Sequence, residues 1–139
     1  MIKLGLIQLT SKLDYEENLK KLELYIKEAK KKDIDYIFLP ECFYSMSDGL
    51  ESTPYLVEKN NEHYNNIVSL AKVNNVYLLG GSAATLESGK IVNRSYNFSP
   101  RGEDLGHYDK INLFSCDIKK DGKEKRIDES DIFSPGKEL

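Results

Sequence analysis

The run Tyr36-Ile37-Phe38-Leu39 ends at Pro40, and Glu41 follows at once. This juncture constrains the chain more than any other. Four apolar, β-prone residues predict a short strand that is apolar on both faces, the pattern of a parallel strand with its faces covered. Proline cannot donate to a β-ladder, so the strand stops there. The chain then offers a carboxylate just beyond the strand's C-terminal end, where open α/β sheets place their sites. Upstream residues must deliver this strand. Downstream residues decide whether Glu41 meets a partner.

Ile2 to Leu9 is apolar on both parities, with Ile2, Leu4 and Leu6 on one and Ile7 and Leu9 on the other. That predicts an inner strand, covered on each side. Asp14 with Glu17 three residues on is a capping-box pattern. Tyr15, Leu19, Leu22, Ile26 and Ala29 then recur at helical spacing, while Lys20, Lys21, Lys27, Lys30 and Lys31 fall elsewhere and read as a solvated face. Ile34 to Leu39 is the second strand, so strand, helix and strand predict a parallel pair with a right-handed crossover. Ser45 to Thr53 reads as a loop over the strand ends, and Pro54 predicts a short helical turn before a second helix that ends near Asn74. Val76 to Leu79 is a third buried strand, stopping at Gly80-Gly81. Ala83 to Leu86 and Ile91 to Phe98 flank Glu87-Ser88-Gly89-Lys90 as a hairpin. Lys119 to Glu129 is almost wholly charged and predicts an exposed excursion, after which Phe133-Ser134-Pro135-Gly136 is a turn that should introduce a further strand.

The totals exclude several classes. A length of 139 residues fits one domain, and 40% hydrophobic with 31% charged residues is an ordinary globular balance. The net charge of −3 leaves no basic footprint for nucleic acid. No apolar run approaches the roughly 20 residues that span a bilayer, so no membrane partner is expected. The N-terminus has no charged region and cleavage site of a secretory signal, which makes the cytoplasm the expected location. Two cysteines, Cys42 and Cys116, make no disulfide framework. His63 and His107 lack metal-ligand spacing, and Gly80-Gly81 has neither dinucleotide nor P-loop glycine spacing. No metal or cofactor is expected.

Taken singly, the candidate residues are bland. Glu41 reads equally as a loop acid or cap acceptor, Lys110 as a lysine that snorkels to water, and Glu129 as one more acid in polar surroundings. Cys42 follows Glu41 directly, and neighbouring side chains of an extended segment point to opposite faces. Glu41 is therefore poorly placed to activate it, and Cys42 reads as a structural thiol.

Together the motifs read differently. Leu39-Pro40-Glu41-Cys42-Phe43, then Leu78-Leu79-Gly80-Gly81-Ser82, then Tyr108-Asp109-Lys110-Ile111-Asn112-Leu113-Phe114, closely resemble the nitrilase superfamily of carbon–nitrogen hydrolases. Lys3 to Leu9 and Asp128 to Gly136 fit the same pattern, which is nearest the Nit branch that includes omega-amidase. The resemblance implies an α/β fold, an α-β-β-α sandwich usually dimerised or further assembled, and a Glu–Lys–Cys triad that hydrolyses a small amide through a thioester. Carried over, Glu41 is the general base, Lys110 stabilises the oxyanion, and Glu129 is the second glutamate that supports the lysine and the substrate amide.

The chain departs from that pattern twice. The segment between Phe114 and Glu129 is longer and richer in lysine. The family's nucleophile sits on a strand-to-helix elbow after the Ser-Pro-Gly turn, and neither Cys42 nor Cys116 occupies that position. The expectation is therefore an incomplete sandwich: the N-terminal part of the domain over residues 1–139, inactive alone. Its expected partners are a small amide substrate and either further copies of itself or a complementary C-terminal fragment. The alternatives are a non-catalytic remnant or subunit-binding module of that family, and an unrelated small α/β binding domain.

Overall fold

A computed structural model describes residues 2–120 and 123–137. The strands β1 (Leu4–Leu6), β2 (Tyr36–Phe38) and β3 (Tyr77–Leu79) run parallel, joined through the helices α1 (Tyr15–Lys30) and α2 (Glu62–Asn74). Strands β4 (Ser82–Glu87), β5 (Lys90–Phe98) and β6 (Asp104–Asp109) then extend the same sheet in antiparallel fashion. Strands β7 (Ser115–Lys120) and β8 (Lys123–Asp128) form a separate hairpin, followed by a short 3-10 turn at Glu129–Asp131.

Local chemistry accounts for most boundaries. Asp14 accepts hydrogen bonds from the amides of Glu16 and Glu17, capping α1. Glu17 completes only half of the predicted box, since its carboxylate bonds Lys12 Nζ at 2.6 Å instead of reaching back. Helix α2 is capped by Asn61 and closes at Asn75 in the left-handed region, φ 50°. Glu87 pairs with Lys90, and the intervening Ser88 and Gly89 have φ 50° and 76°, as a two-residue hairpin turn requires. Gly80-Gly81 bends the chain without ending its pairing, because Gly81 O still accepts from Tyr96 N at 2.9 Å before β4 begins. A Cβ at Gly81 would lie 2.6 Å from Leu39 Cβ and from the Phe43 ring, so the glycine permits this close crossing.

Register separates the two faces of the sheet. Gly5, Ile37 and Leu78 align across β1, β2 and β3, and Ile37 and Leu78 are buried in one core with Leu22, Ile26, Ile67, Leu70 and Ala71 of the helices. Leu4–Tyr36–Tyr77 and Leu6–Phe38–Leu79 align on the opposite face, where the Tyr36 and Tyr77 rings stack at 4.7 Å. There Leu4 is 57% exposed and Leu6 84%.

Among the described residues β1 lies at the sheet edge, pairing with β2 alone, and its Leu4 and Leu6 lie bare. Apolar residues on both parities report two apolar faces, not two flanking strands, and the described residues cover only one of those faces. Two expectations need correction. No helical turn forms at Pro54. That segment runs extended along the outer edge of β4, where Val57 N donates to Ala84 O and Val57 O accepts from Leu86 N. The charged excursion is exposed at Arg126 but regular in its backbone, pairing from Ser115↔Asp128 to Lys120↔Lys123. The strand expected after the Ser-Pro-Gly turn lies outside the described residues.

Candidate active site

Three tethers place Glu41. Leu39 N donates to Leu79 O at 3.0 Å, carrying the β2–β3 pairing one residue past Phe38. The chain then turns, with Cys42 at φ 49°, and Phe43 N donates to Ser82 O. Cys42 N is satisfied by Ser82 Oγ at 3.0 Å. Glu41 thus stands at the C-terminal end of a parallel strand, as the Pro40 stop predicts, with its side chain 56% exposed.

Lys110 follows β6, its amide donating to Asn93 O of β5 at 2.9 Å. The β7–β8 hairpin returns the chain so that Phe114 and Glu129 exchange backbone and side-chain bonds: Glu129 N donates to Phe114 O, and Phe114 N donates to Glu129 Oε2 at 2.7 Å. The extra residues of this segment are taken up within the hairpin, and Glu129 still arrives beside Lys110. Lys110 Nζ lies 2.9 Å from Glu41 Oε1, and 3.1 and 2.9 Å from the two Glu129 oxygens. All three residues singled out in the sequence therefore meet, 19 and 69 positions apart along the chain from Lys110.

The electrostatics follow from this cluster. Burial works to lower the Lys110 pKa, but its bonds to Glu129 and Glu41 outweigh burial and hold it above the ordinary lysine value. The group is an ammonium across the neutral range. The Cys42 thiol is pushed up to about 11, first by burial and then by the charges of Glu41 and Glu129. It is a thiol, not a thiolate, near neutral pH. A cavity of about 270 Å³ opens beside Cys42 and Glu129, with Met46, Ala84, Phe114, Ile127 and Phe133 among its walls. Among the described residues no three His, Cys, Asp or Glu side chains converge as a metal site, and no helix is long and apolar enough to cross a membrane.

Sequence reasoning missed Asn93. Its Nδ2 donates to Glu41 Oε1 at 2.8 Å, and the residue is buried, 2% exposed. Alternation along β5 puts it on the parity of Ile91, Ser95 and Asn97, opposite Tyr96 and Phe98 of the core. No spacing signal marks it, because its contact to Glu41 spans 52 positions and needs the sheet to form.

The α/β sheet thus brings a carboxylate–ammonium–carboxylate cluster to its strand ends, charged groups of the kind that acid–base and charge-stabilised chemistry uses. The pattern that describes carbon-nitrogen hydrolases matches residues 3–139, and the chain belongs to that family. Omega-amidase NIT2 of Xenopus tropicalis is 37% identical over 135 residues, covering 96% of this chain and 48% of that protein. Human omega-amidase NIT2 is 33% identical over 134 residues, with the same coverage, 96% and 48%. Among solved structures, Saccharomyces cerevisiae Nit3, a member of branch 10 of the nitrilase superfamily, matches with a TM-score of 0.75 at 27% identity, over 99% of this chain and 49% of that one. The Caenorhabditis elegans NitFhit protein matches with a TM-score of 0.77 at 25% identity, over 97% and 33%. The chain spans about half the length of the curated relatives it matches. Its fold is accordingly α/β of the nitrilase type, a sheet with two helices matching about half of the Nit3 chain.

Proposed function

We propose that this chain carries the base, the cation and the supporting carboxylate of an amide-hydrolysing site, and that the sulfur nucleophile comes from outside residues 1–139. The observation that supports this is Lys110 Nζ held at 2.9 Å from both Glu41 and Glu129. In the reaction, Glu41 takes the thiol proton as sulfur attacks the amide carbonyl carbon. The carbonyl π pair moves to oxygen, where the Lys110 ammonium faces the new charge. The C–N bond then breaks, its electrons leave with nitrogen, and the Glu41 proton follows them to release ammonia or an amine. Water attacks the resulting thioester with Glu41 again as base, giving the acid and restoring the thiol. Glu129 holds the ammonium and blocks its drift.

We do not assign Cys42 the nucleophile's part: it does not follow the Ser-Pro-Gly turn, and burial, then the charges of Glu41 and Glu129, hold its thiol protonated near neutral pH. The substrate we assign is a small amide, with carboxylate-bearing ω-amides first because the relatives include proteins named omega-amidase. The bare sheet face with Leu4 and Leu6 is where we place the partner, another copy or a complementary C-terminal fragment. That same face supports a second reading, a subunit-binding module without turnover.

One assay separates the two. Ammonia release from small amides is measured for the chain alone and for the chain mixed with the half of Xenopus tropicalis omega-amidase that it does not match. The enzyme reading expects none alone, and release from the mixture that falls by about 100-fold or more in Glu41→Gln and Lys110→Met. Release that ignores both substitutions, or release by the chain alone that vanishes in Cys42→Ala, overturns it.

A further inference from the structure

We infer that Asn93 is a positioning residue that selects which Glu41 oxygen works as the base. This rests on the reading of Glu41 as the base given above. Asn93 Nδ2 and Lys110 Nζ both donate to Oε1, at 2.8 and 2.9 Å. A carboxylate oxygen has about two lone-pair sites, so these two donors fill it. Oε2 is left as the oxygen that accepts a proton from the incoming thiol. The main chain of Asn93 acts in the same unit, since its carbonyl oxygen holds the Lys110 amide at 2.9 Å. One residue of β5 therefore orients the base through its side chain and anchors the lysine through its backbone.

The chemistry calls for an amide here. A neutral NH2 donor fixes a carboxylate without adding charge, whereas aspartate would place a third carboxylate beside Glu41 and Glu129. Packing alone does not account for the residue. Among the described residues Asn93 Oδ1 is buried without a hydrogen-bond partner, and a leucine of similar size would fill the same space with no acceptor left open. Reversing the amide would aim Oδ1 at Glu41 Oε1, oxygen against oxygen, so the observed orientation is the one the site allows.

NMR on the 139-residue chain tests this directly. In uniformly labelled protein, one Asn93 side-chain amide proton should sit downfield at neutral pH and move back upfield as the Glu41 carboxyl carbon titrates, both with one midpoint. Glu41→Gln should abolish that movement, while the Asn97 side-chain amide, bonded to Gly106 O, stays unaffected. In Asn93→Leu the Glu41 side-chain carboxyl carbon resonance should move at neutral pH, because the carboxylate loses a donor; a residue that merely packs would leave it in place. An Asn93 amide that ignores Glu41 overturns the inference without any need for the leucine variant to fold. So does a folded leucine variant with an unmoved Glu41 carboxyl resonance. The ammonia assay fails independently: if Glu41→Gln leaves release intact, the base reading falls while the Asn93 bond stands.

Discussion

At the scale of single residues, the cluster is held by opposite charge at short range with part of its solvent removed. Lys110 is 26% exposed and Glu129 20%, so their attraction is less screened than that of a surface pair. Lys110→Met would leave two carboxylates facing each other with no cation between them. We expect a loss of about 1–3 kcal/mol in urea denaturation, larger than for Glu41→Gln. The pH dependence has a definite sign. The folded pKa of Lys110 lies above its ordinary 10.5, so its stabilisation is complete below that value and is lost as pH rises through the folded value. The difference between the wild type and Lys110→Met should stay level through neutral pH and shrink only above about 10.5. Cys42 gives a second test. In a Cys116→Ser background its alkylation rate should climb toward a midpoint near 11, and a midpoint near the free-thiol value would remove the burial argument. Since the native thiol binds its proton more tightly than the unfolded one, Cys42 ionisation should erode stability as pH passes the unfolded thiol value of about 8.5.

At the scale of elements, short connections bring the site together, and two of them are testable. Asp14 caps α1 with bonds to two amides, and Asp14→Ala should cost about 1 kcal/mol by urea midpoint, without touching the site. Gly136 matters differently. Its amide donates to Lys110 O at 2.9 Å, and a Cβ there would sit inside contact distance of the Asp109 carbonyl. Gly136→Ala should push the Ser-Pro-Gly segment away from Lys110. The Lys110 and Asn93 amide resonances should then move, while those of α1 do not. The edge position of β1 among the described residues is not something its sequence predicts. A hydrophobic pattern counts faces, and the neighbour within the plane of a strand is settled by chain order in space. The hairpin of β7 and β8 was read only as charge, because its backbone pairing leaves little apolar alternation to detect.

At the scale of the whole molecule, one sheet face is buried under α1 and α2 and the other carries Leu4, Leu6, Tyr36, Phe38, Tyr77 and Leu79. An exposed apolar face of this kind is where the proposed partner would sit. The chain in isolation should therefore self-associate with concentration in sedimentation experiments and bind ANS. Leu6→Lys should reduce both, since Leu6 is 84% exposed and its replacement touches no core. A strictly monomeric wild type that binds no dye would count against this assignment of the face.

The amino-acid sequence by itself determined the class of fold and the identity of the charged groups. Pro40 ends β2 wherever that strand lies, and the order of motifs around Glu41, Lys110 and Glu129 marks them together although each alone is bland. Only the tertiary structure decided what these groups do to one another. Hydrogen bonds reach about 3 Å, so contacts across 19, 52 and 69 positions exist only once the sheet and the hairpin have closed. That closure buries Asn93 against Glu41, raises the Cys42 thiol and brings two donors to one Glu41 oxygen, none of which is a property of residue order. The strand that delivers Glu41 was legible as a line of letters. The oxygen of Glu41 that Asn93 and Lys110 share was not.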